Sequence, residues 1–178
     1  MTRLASTALT LASAIGLAAC ASTAPSTNET LATATLMDTN GTPMGTATLI
    51  GVGNRVELSV TAQGLTPGEH GFHLHETGRC TLPDFTSAGG HLNPAGEGHG
   101  LLDDDGSHLG DLPNLEVRAN GTASVQVALA GTRANLMDQI FDGDGTAVVI
   151  HADTDDGRTD PSGSAGPRER CGVLERVG

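Results

Sequence analysis

The sequence predicts an all-β domain, with about eight antiparallel strands in a Greek-key sandwich or flattened barrel and two long loops. Three observations favour this fold. Short runs of alternating apolar and polar residues recur, turn-forming residues separate them, and no run has convincing helical amphipathicity. With three Phe and no Tyr or Trp, the core must be built from Val, Leu, Ile and Ala. A length of 178 residues suits one domain with a sizeable core.

The predicted strands follow one another along the chain, joined by recognisable turns. In order they span 30–37, 46–52, 55–62, 70–76, 114–119, 122–130, 146–152 and 171–177. The turn sequence DTNGTPMG separates the first two, and Gly53-Asn54 joins the second to the third. Val56, Leu58 and Val60 of the third alternate with polar residues, as a strand with one buried face requires. Asn120-Gly121, a strong hairpin signal, joins the fifth and sixth.

Two long segments, 77–113 and 153–170, have no strand pattern. Loops of this length are uncommon in compact domains unless function or cross-links order them. The first contains Cys80, Asp111 and three histidines, and the second ends beside Cys171. We therefore expect metal ions and a disulfide to hold both loops.

The first nineteen residues are predicted to be an export signal. Arg3 precedes an apolar run, 4–19, that is too short for a membrane span. The run leads into LAAC, residues 17–20, which resembles a bacterial lipoprotein signal in which Cys20 becomes the lipidated first residue. An ordinary signal peptide cleaved a few residues away is the alternative.

This interpretation divides the chain into a signal peptide (1–19), a flexible tether (20–30) and a domain (31–178). It places the mature protein in the periplasm, anchored to the cell envelope by its lipid. By analogy with other lipoproteins, Ala21 favours the outer membrane. If Cys20 carries lipid, Cys80 and Cys171 remain as an even pair for a disulfide in an oxidising compartment. The alternative is two free buried thiols.

The charge of the chain excludes some partners. The formal net charge is −12, and all nine basic residues are arginines. Such a chain is a poor candidate for binding nucleic acid or an anionic lipid surface. An anionic substrate would need a local positive charge to approach it.

Six of the seven histidines occur in a pattern that suggests metal binding. His73 and His75 are two apart in a predicted strand, so their side chains share one face. His151 ends another predicted strand, and the remaining candidates in the first loop are His91, His99, His108 and Asp111. A single histidine is more often a surface residue or a hydrogen-bonded core residue than a metal ligand. Six histidines and a carboxylate in these contexts make metal binding the better interpretation. Imidazole ligands alone suit copper or zinc, and three His with one Asp suit a tetrahedral zinc site.

The motifs GFHLHE, GGHLNP, HLGDLPNL, VVIHA and RERCGVL together resemble those of the copper-zinc superoxide dismutases, in particular the bacterial periplasmic branch. The resemblance runs from about residue 31 to the C-terminus, with the motifs in the family's order. It implies an antioxidant oxidoreductase that converts superoxide to dioxygen and hydrogen peroxide and protects the cell envelope. It also implies one copper and one zinc ion per subunit.

The resemblance assigns metal ligands residue by residue. Copper would be bound by His73, His75, His91 and His151. Zinc would be bound by His91, His99, His108 and Asp111. His91 would then bridge the two ions as an imidazolate and take part in catalysis.

Further roles follow from the same resemblance. Arg168 corresponds to the family's active-site arginine, which would attract and dock superoxide. Asp155, four residues after His151, would link copper and zinc ligands by hydrogen bonds. His70 corresponds to a structural histidine. Arg170 is the alternative to Arg168, but because it lies two residues further on it is expected to point elsewhere as a surface charge.

Two departures and two alternatives stay open. The 153–170 loop is shorter than is usual in the family and has no lysine, and the chain has no Tyr or Trp for the aromatic contacts of dimeric relatives. Both a monomer and a homodimer are therefore possible. A non-enzymatic copper-binding or copper-delivery module of the same fold is the first alternative function. A zinc-stabilised adhesion or interaction module is the second.

Overall fold

The computed structural model describes residues 28–104 and 106–178. The predicted signal peptide and the tether as far as residue 27, including Cys20, lie outside the described residues. Over the two described ranges, no helix has the length and apolar character to cross a membrane.

The described chain is nearly all β, as predicted, but it has ten strands where about eight were predicted, and one α-helix. The strands are β1 (Glu29–Asp38), β2 (Pro43–Val52), β3 (Arg55–Gln63), β4 (Gly68–His70), β5 (Phe72–His75), β6 (Leu115–Val117), β7 (Thr122–Ala128), β8 (Ala147–His151), β9 (Arg168–Val173) and β10 (Glu175–Arg176). The helix α1 spans Arg133–Ile140, and a 3-10 turn spans Thr86–Ala88.

The strands form one antiparallel sheet that curls into a barrel. Its order is β4-β6-β7-β3-β2-β1-β9-β8-β5, with β10 paired to β1. β4 and β5 stand at opposite ends of this order, although Gly71 alone separates them in the chain. The two ends of the sheet must therefore approach each other. The jumps from β3 to β7 and from β1 to β9 bring distant segments together, and β8 lies between β9 and β5.

The core follows the predicted alternation. Val56, Leu58 and Val60 are completely buried in the main apolar cluster. All five residues of β8 are buried because this strand lies between two apolar layers. Val148 and Ile150 join the main cluster, whereas Ala147 and Val149 join a smaller one with Phe85, Ala88 and Cys171.

A disulfide joins Cys80 to Cys171, as the cysteine count predicts, with a Cα–Cα distance of 5.7 Å. It links the first long loop to β9, and Cys171 is completely buried in the smaller apolar cluster. One loop end is therefore fixed to the barrel by a covalent bond and by packing.

The sequence has no convincing amphipathic helix, and the structure contains one short helix, α1. Thr132 caps this helix by accepting a hydrogen bond from the Asn135 amide at 3.4 Å. Leu136 and Ile140, one turn apart, are completely buried against the main cluster. Two buried apolar residues over two turns give too weak a period for the sequence pattern to predict a helix.

The predicted strand 70–76 is interrupted at Gly71. Its amide donates to Asp153 O at 2.9 Å instead of continuing a ladder. A side chain there would meet the Ala165 Cβ at 2.8 Å and the Asp155 Cβ at 3.2 Å, so glycine lets the second long loop pack against this point.

The expectation that Arg170 is a surface charge is also wrong. Its partner across the sheet, Ile150, belongs to the main core, and Arg170 is only 6% exposed on that same face. Backbone oxygens solvate the guanidinium: Nη2 donates to Gly64 O at 2.7 Å, and Nη1 donates to Glu169 O at 2.8 Å. The residue fastens the turn after β3 to β9 and takes no part in the histidine clusters.

Candidate metal centre

Strand alternation separates core and site on β5. Phe72 and Leu74 pack into the main apolar cluster, while His73 and His75 point to the other face. β5 pairs with β8, which ends at His151, and an isolated bridge pairs His75 with His91 of the first long loop. The fold thus brings four histidines from two strands and one loop to one place.

The first cluster consists of His73, His75, His91 and His151, whose ligand atoms all lie within 4.8 Å of one another. The atoms His73 Nδ1, His75 Nε2, His91 Nε2 and His151 Nε2 are buried and have no hydrogen-bond partner among the described residues. Leaving four such groups unpaired would cost several kcal/mol. A metal ion would satisfy all of them, and the all-imidazole donor set suits copper.

The opposite ring nitrogens of this cluster are held by oxygen acceptors. His73 Nε2 donates to Asp155 Oδ2 at 2.6 Å, and His75 Nδ1 donates to Gly89 O at 3.0 Å. His151 Nδ1 donates to Gly166 O at 3.0 Å. These bonds fix ring orientation and place the free lone pair of each of these rings on the inner nitrogen.

Burial keeps three rings of the first cluster, those of His75, His91 and His151, unprotonated. It lowers the pKa of His91 to about 4 and that of His151 to about 3, with the neighbouring His73 adding to both shifts. Burial also holds the pKa of His75 well below its ordinary value. At neutral pH the lone pairs of these three rings are therefore free to bind a cation.

The second cluster consists of His91, His99, His108 and Asp111, all buried. The Nδ1 atoms of the three histidines lie 2.8, 3.1 and 3.1 Å from Asp111 Oδ1, in that order. His108 Nδ1 and His91 Nδ1 are 3.4 Å apart. A tetrahedron of ligands about 2.0–2.1 Å from zinc has edges of about 3.3–3.4 Å, so this set fits zinc with little adjustment.

Asp111 is prepared to remain a carboxylate. Its Oδ2 accepts hydrogen bonds from the amides of Gly100 at 2.9 Å and His108 at 3.0 Å, which leaves Oδ1 for the cluster. Burial alone would raise the pKa of Asp111, but bonding to His91 and to the Gly100 amide brings it well below the ordinary value.

His91 belongs to both clusters. Its Nδ1 faces Asp111, while its Nε2 is one of the four unpartnered nitrogens. One imidazole ring thus separates the two candidate metal positions.

Asp155 connects the clusters from behind. Its Oδ2 accepts from His73, and its Oδ1 lies 3.1 Å from His99 Nε2. Asn114, a residue that the sequence analysis did not select, bonds the Asp155 backbone in both directions at 2.9 Å. Burial would raise the pKa of Asp155, but the His73 bond and the Gly157 amide lower it well below normal.

Arg168 stands beside the first cluster. Its Nη1 donates to Phe85 O at 2.7 Å and its Nη2 to Gly89 O at 2.6 Å. Together with His75, His91 and His151 it lines a cleft of about 490 Å³. The structure thus places a half-buried positive charge at the entrance to the histidine nitrogens.

His70 lies outside both clusters. It is buried, its Nδ1 donates to His151 O at 2.7 Å, and its Nε2 lies 2.8 Å from Thr66 O. Its hydrogen bond holds the backbone of His151, a residue of the first cluster.

Comparisons with known proteins agree with this geometry. The model of the copper/zinc superoxide dismutase family matches residues 44–174. The Cu-Zn superoxide dismutase 2 of Aquifex aeolicus is 42% identical over 144 residues, covering 79% of this chain and 84% of the relative. The Cu-Zn superoxide dismutase of Caulobacter vibrioides is 40% identical over 173 residues, covering 94% and 98%.

Solved structures show the same fold. A SOD-like protein from Bacillus subtilis matches with a TM-score of 0.75 and 37% identity, covering 80% of this chain and 97% of that one. The Cu/Zn superoxide dismutase from Brucella abortus matches with a TM-score of 0.65 and 27% identity, covering 84% and 100%. The chain therefore belongs to the copper/zinc superoxide dismutase family and is an enzyme of that type, with copper and zinc as its cofactors.

Proposed function

We propose that the chain disproportionates superoxide at a copper ion held by the first cluster, beside a zinc ion held by the second. The ring of His91, with one nitrogen in each cluster, is the observation that carries the proposal. Bound copper would supply the one-electron oxidation of one superoxide to dioxygen and the reduction of the next to peroxide, whereas zinc is redox-inert. The remaining steps are tasks for protein side chains.

The first task concerns a proton. A neutral imidazole offers one lone pair, so a ring that serves a cation at each nitrogen must lose its N–H, and two nearby cations favour this loss. We infer that His91 acts as an imidazolate. His91 Nε2 would then be the atom that holds a proton and delivers it to the departing peroxide, whose second proton would come from water.

The second task is to attract and orient an anion. Arg168 stays charged at any relevant pH and lines the same cleft as His75, His91 and His151. Its two bonds to backbone oxygens hold the guanidinium in place, and an arginine that faces a small anion can both attract and dock it.

The cellular setting is the bacterial periplasm, where the enzyme would protect the envelope from superoxide. Two features support this part of the proposal. LAAC at residues 17–20 favours lipidation at Cys20, and the Cys80–Cys171 disulfide is typical of an oxidising compartment. Metabolic labelling with a fatty acid tests the anchor: the wild type should incorporate the label and Cys20→Ala should not, and an unlabelled wild type would contradict the lipid anchor.

The activity is tested with metal-loaded protein in a superoxide consumption assay. The wild type should be active. His151→Ala should lose both its copper and its activity, whereas Arg168→Ala should lose its activity but retain both metals. Full activity in both variants would contradict the assignment. A protein that binds both metals without disproportionating superoxide would instead fit the copper-binding or copper-delivery module.

The bridge needs a separate measurement. With copper in both clusters, a shared ring should couple the two Cu(II) spins and suppress the electron paramagnetic resonance (EPR) signal. Two independent Cu(II) spectra would exclude a bridging His91 while leaving the metal sites themselves intact.

A further inference from the structure

Glu76 follows β5 directly and touches the candidate centre without belonging to either cluster. It forms a two-way contact with Gly90: the Glu76 amide donates to Gly90 O at 3.0 Å, and the Gly90 amide donates to Glu76 Oε1 at 3.0 Å. Gly90 immediately precedes His91 in the chain. The contact thus ties the loop that carries His91 to the strand that carries His75.

The side chain of Glu76 also covers Gly89. A Cβ on Gly89 would lie 2.7 Å from Glu76 Oε1 and 2.8 Å from its Cγ. Gly89 has φ 74° and ψ −155°, a conformation that only glycine adopts readily. Glu76 therefore occupies the space that a side chain at Gly89 would take.

The Gly89 carbonyl is an important acceptor of the site. It accepts hydrogen bonds from His75 Nδ1 at 3.0 Å and from Arg168 Nη2 at 2.6 Å. One backbone oxygen therefore orients both a candidate copper ligand and the guanidinium that would attract the anion. Its direction depends on the peptide between Gly89 and Gly90, whose amide is the one bound by Glu76.

The charge of Glu76 acts against the enzyme's task. Glu76 lines the same cleft as Arg168, where a carboxylate opposes the approach of an anion. The hydrogen bond from the Gly90 amide, rather than the negative charge, therefore explains why a glutamate lines the cleft.

We propose that Glu76 is a positioning residue that holds the Gly89–Gly90 peptide so that one carbonyl orients both His75 and Arg168. This inference rests on the proposed function, since it assigns His75 to copper and Arg168 to the anion. It adds a residue that acts on the site through the backbone.

Two uncharged variants isolate the hydrogen bond. Glu76→Gln keeps an oxygen acceptor, and Glu76→Met keeps the length of the side chain over Gly89 but removes that acceptor. Both remove one negative charge, so charge effects cancel when they are compared. Glu116→Gln, an exposed carboxylate on β6 outside the cleft lining, controls for the loss of one charge elsewhere.

The first readout is amide hydrogen exchange of Gly90 in metal-free protein. Exchange should be about three to ten times faster in Glu76→Met than in Glu76→Gln, as expected for the loss of one hydrogen bond. The second readout is azide binding and the EPR spectrum of the copper-loaded protein. Azide should bind Glu76→Met about three to ten times more weakly than Glu76→Gln. The Cu(II) spectrum should change in Glu76→Met and stay as in wild type in Glu76→Gln.

Equal Gly90 exchange in the two variants would overturn the proposal. So would faster exchange with unchanged azide affinity and EPR spectrum, because the bond would then exist without positioning the site. If Glu76→Met does not fold, a scalar coupling across the hydrogen bond between Gly90 N and Glu76 Cδ in the wild type decides, and its absence overturns the proposal. An inactive wild type would count against the proposed function alone and would leave the exchange result valid.

Discussion

Single side chains carry most of the chemistry of the site, and Asp155 illustrates how. One carboxylate accepts from His73 and lies within bonding distance of His99, so it orients a ring in each cluster. Such hydrogen bonds behind metal ligands fix the tautomer and make the imidazole a better donor.

We expect Asp155→Asn to lower the affinity for both metals by about 10–100-fold, because an amide offers one acceptor oxygen where two are needed. Chelator competition on the purified protein measures this change. Asp153→Asn, an exposed aspartate two residues earlier, is the matched control and should retain wild-type affinity. Equal affinities in both variants would mean that Asp155 does not support the ligands.

Residue types predicted the ligand candidates better than their supports. His73 and His75 stand two apart in a strand, and the structure places their rings on one face. The supports of those rings include the backbone oxygens of Gly89 and Gly166, and a carbonyl oxygen has no residue-type signature in a sequence. Asn114 and Glu76 were missed for a related reason, since both act on the backbone of their partners.

At the scale of elements, the disulfide links a loop to a strand. It holds the first long loop, which supplies His91 and the Gly89 carbonyl, to β9, which begins at Arg168. A crosslink between residues 91 positions apart restricts the unfolded chain strongly.

Replacing both Cys80 and Cys171 by Ser should lower the free energy of unfolding of the metal-free protein by about 2–5 kcal/mol. Urea unfolding followed by circular dichroism measures the difference. Wild type under reducing conditions should reproduce the effect, whereas a reductant should leave the double variant unchanged. Equal stability of the variant and the oxidised wild type would contradict a stabilising crosslink.

The predicted strands were accurate where apolar and polar residues alternate over a long run. The prediction was less accurate where a few tertiary contacts determine the local structure. β3 alternates over its whole length, and its predicted bounds lie within one residue of the observed ones. α1 depends on Leu136, Ile140 and the Thr132 cap, a signal too short to stand out. The break at Gly71 comes from a distant loop, which no local pattern reveals.

At the scale of the whole molecule, the buried histidines make stability depend on pH. The pKa of His91 is about 4 and that of His151 about 3 when folded, against 6.5 as the ordinary value. Between these values the unfolded chain binds more protons than the folded one. Stability of the metal-free protein must therefore fall as the pH decreases.

We expect the free energy of unfolding of metal-free protein to decrease from pH 7 to pH 4, by up to about 1.4 kcal/mol per pH unit for each such histidine. Urea unfolding at several pH values measures the slope. His151→Gln removes one of the groups and should flatten the dependence. A slope that is the same in this variant would assign the effect to other groups.

The chain has a formal net charge of −12, and most of its negative charges lie farther from the cleft than Arg168, so they repel superoxide at a distance. The screening length is about 30 Å at 0.01 M salt and about 8 Å at 0.15 M, so salt weakens the distant negative charges before the charge in the cleft. We expect kcat/KM for superoxide to rise between these salt concentrations, as measured by pulse radiolysis. A steep fall would show that local attraction dominates, and Arg168→Gln should then abolish the fall.

The global arrangement exceeded what the sequence could predict. Strand content and barrel architecture follow from composition and alternation, but the pairing of β1 with β9 and of β5 with β8 depends on closure over long segments. Neither pairing was predicted; the resemblance to a known family implied only that His73, His75, His91 and His151 come together.

The alternation along β5 has a consequence for how errors in assembly are rejected. If β5 paired with β8 one position out of register, the imidazoles of His73 and His75 would enter the apolar core. Phe72 and Leu74 would then face the metal site. A shifted register would thus be unfavourable for two reasons: imidazoles would be buried in the apolar core, and the metal site would lose two histidines. The strand that contributes these histidines therefore also favours the correct register of the sheet.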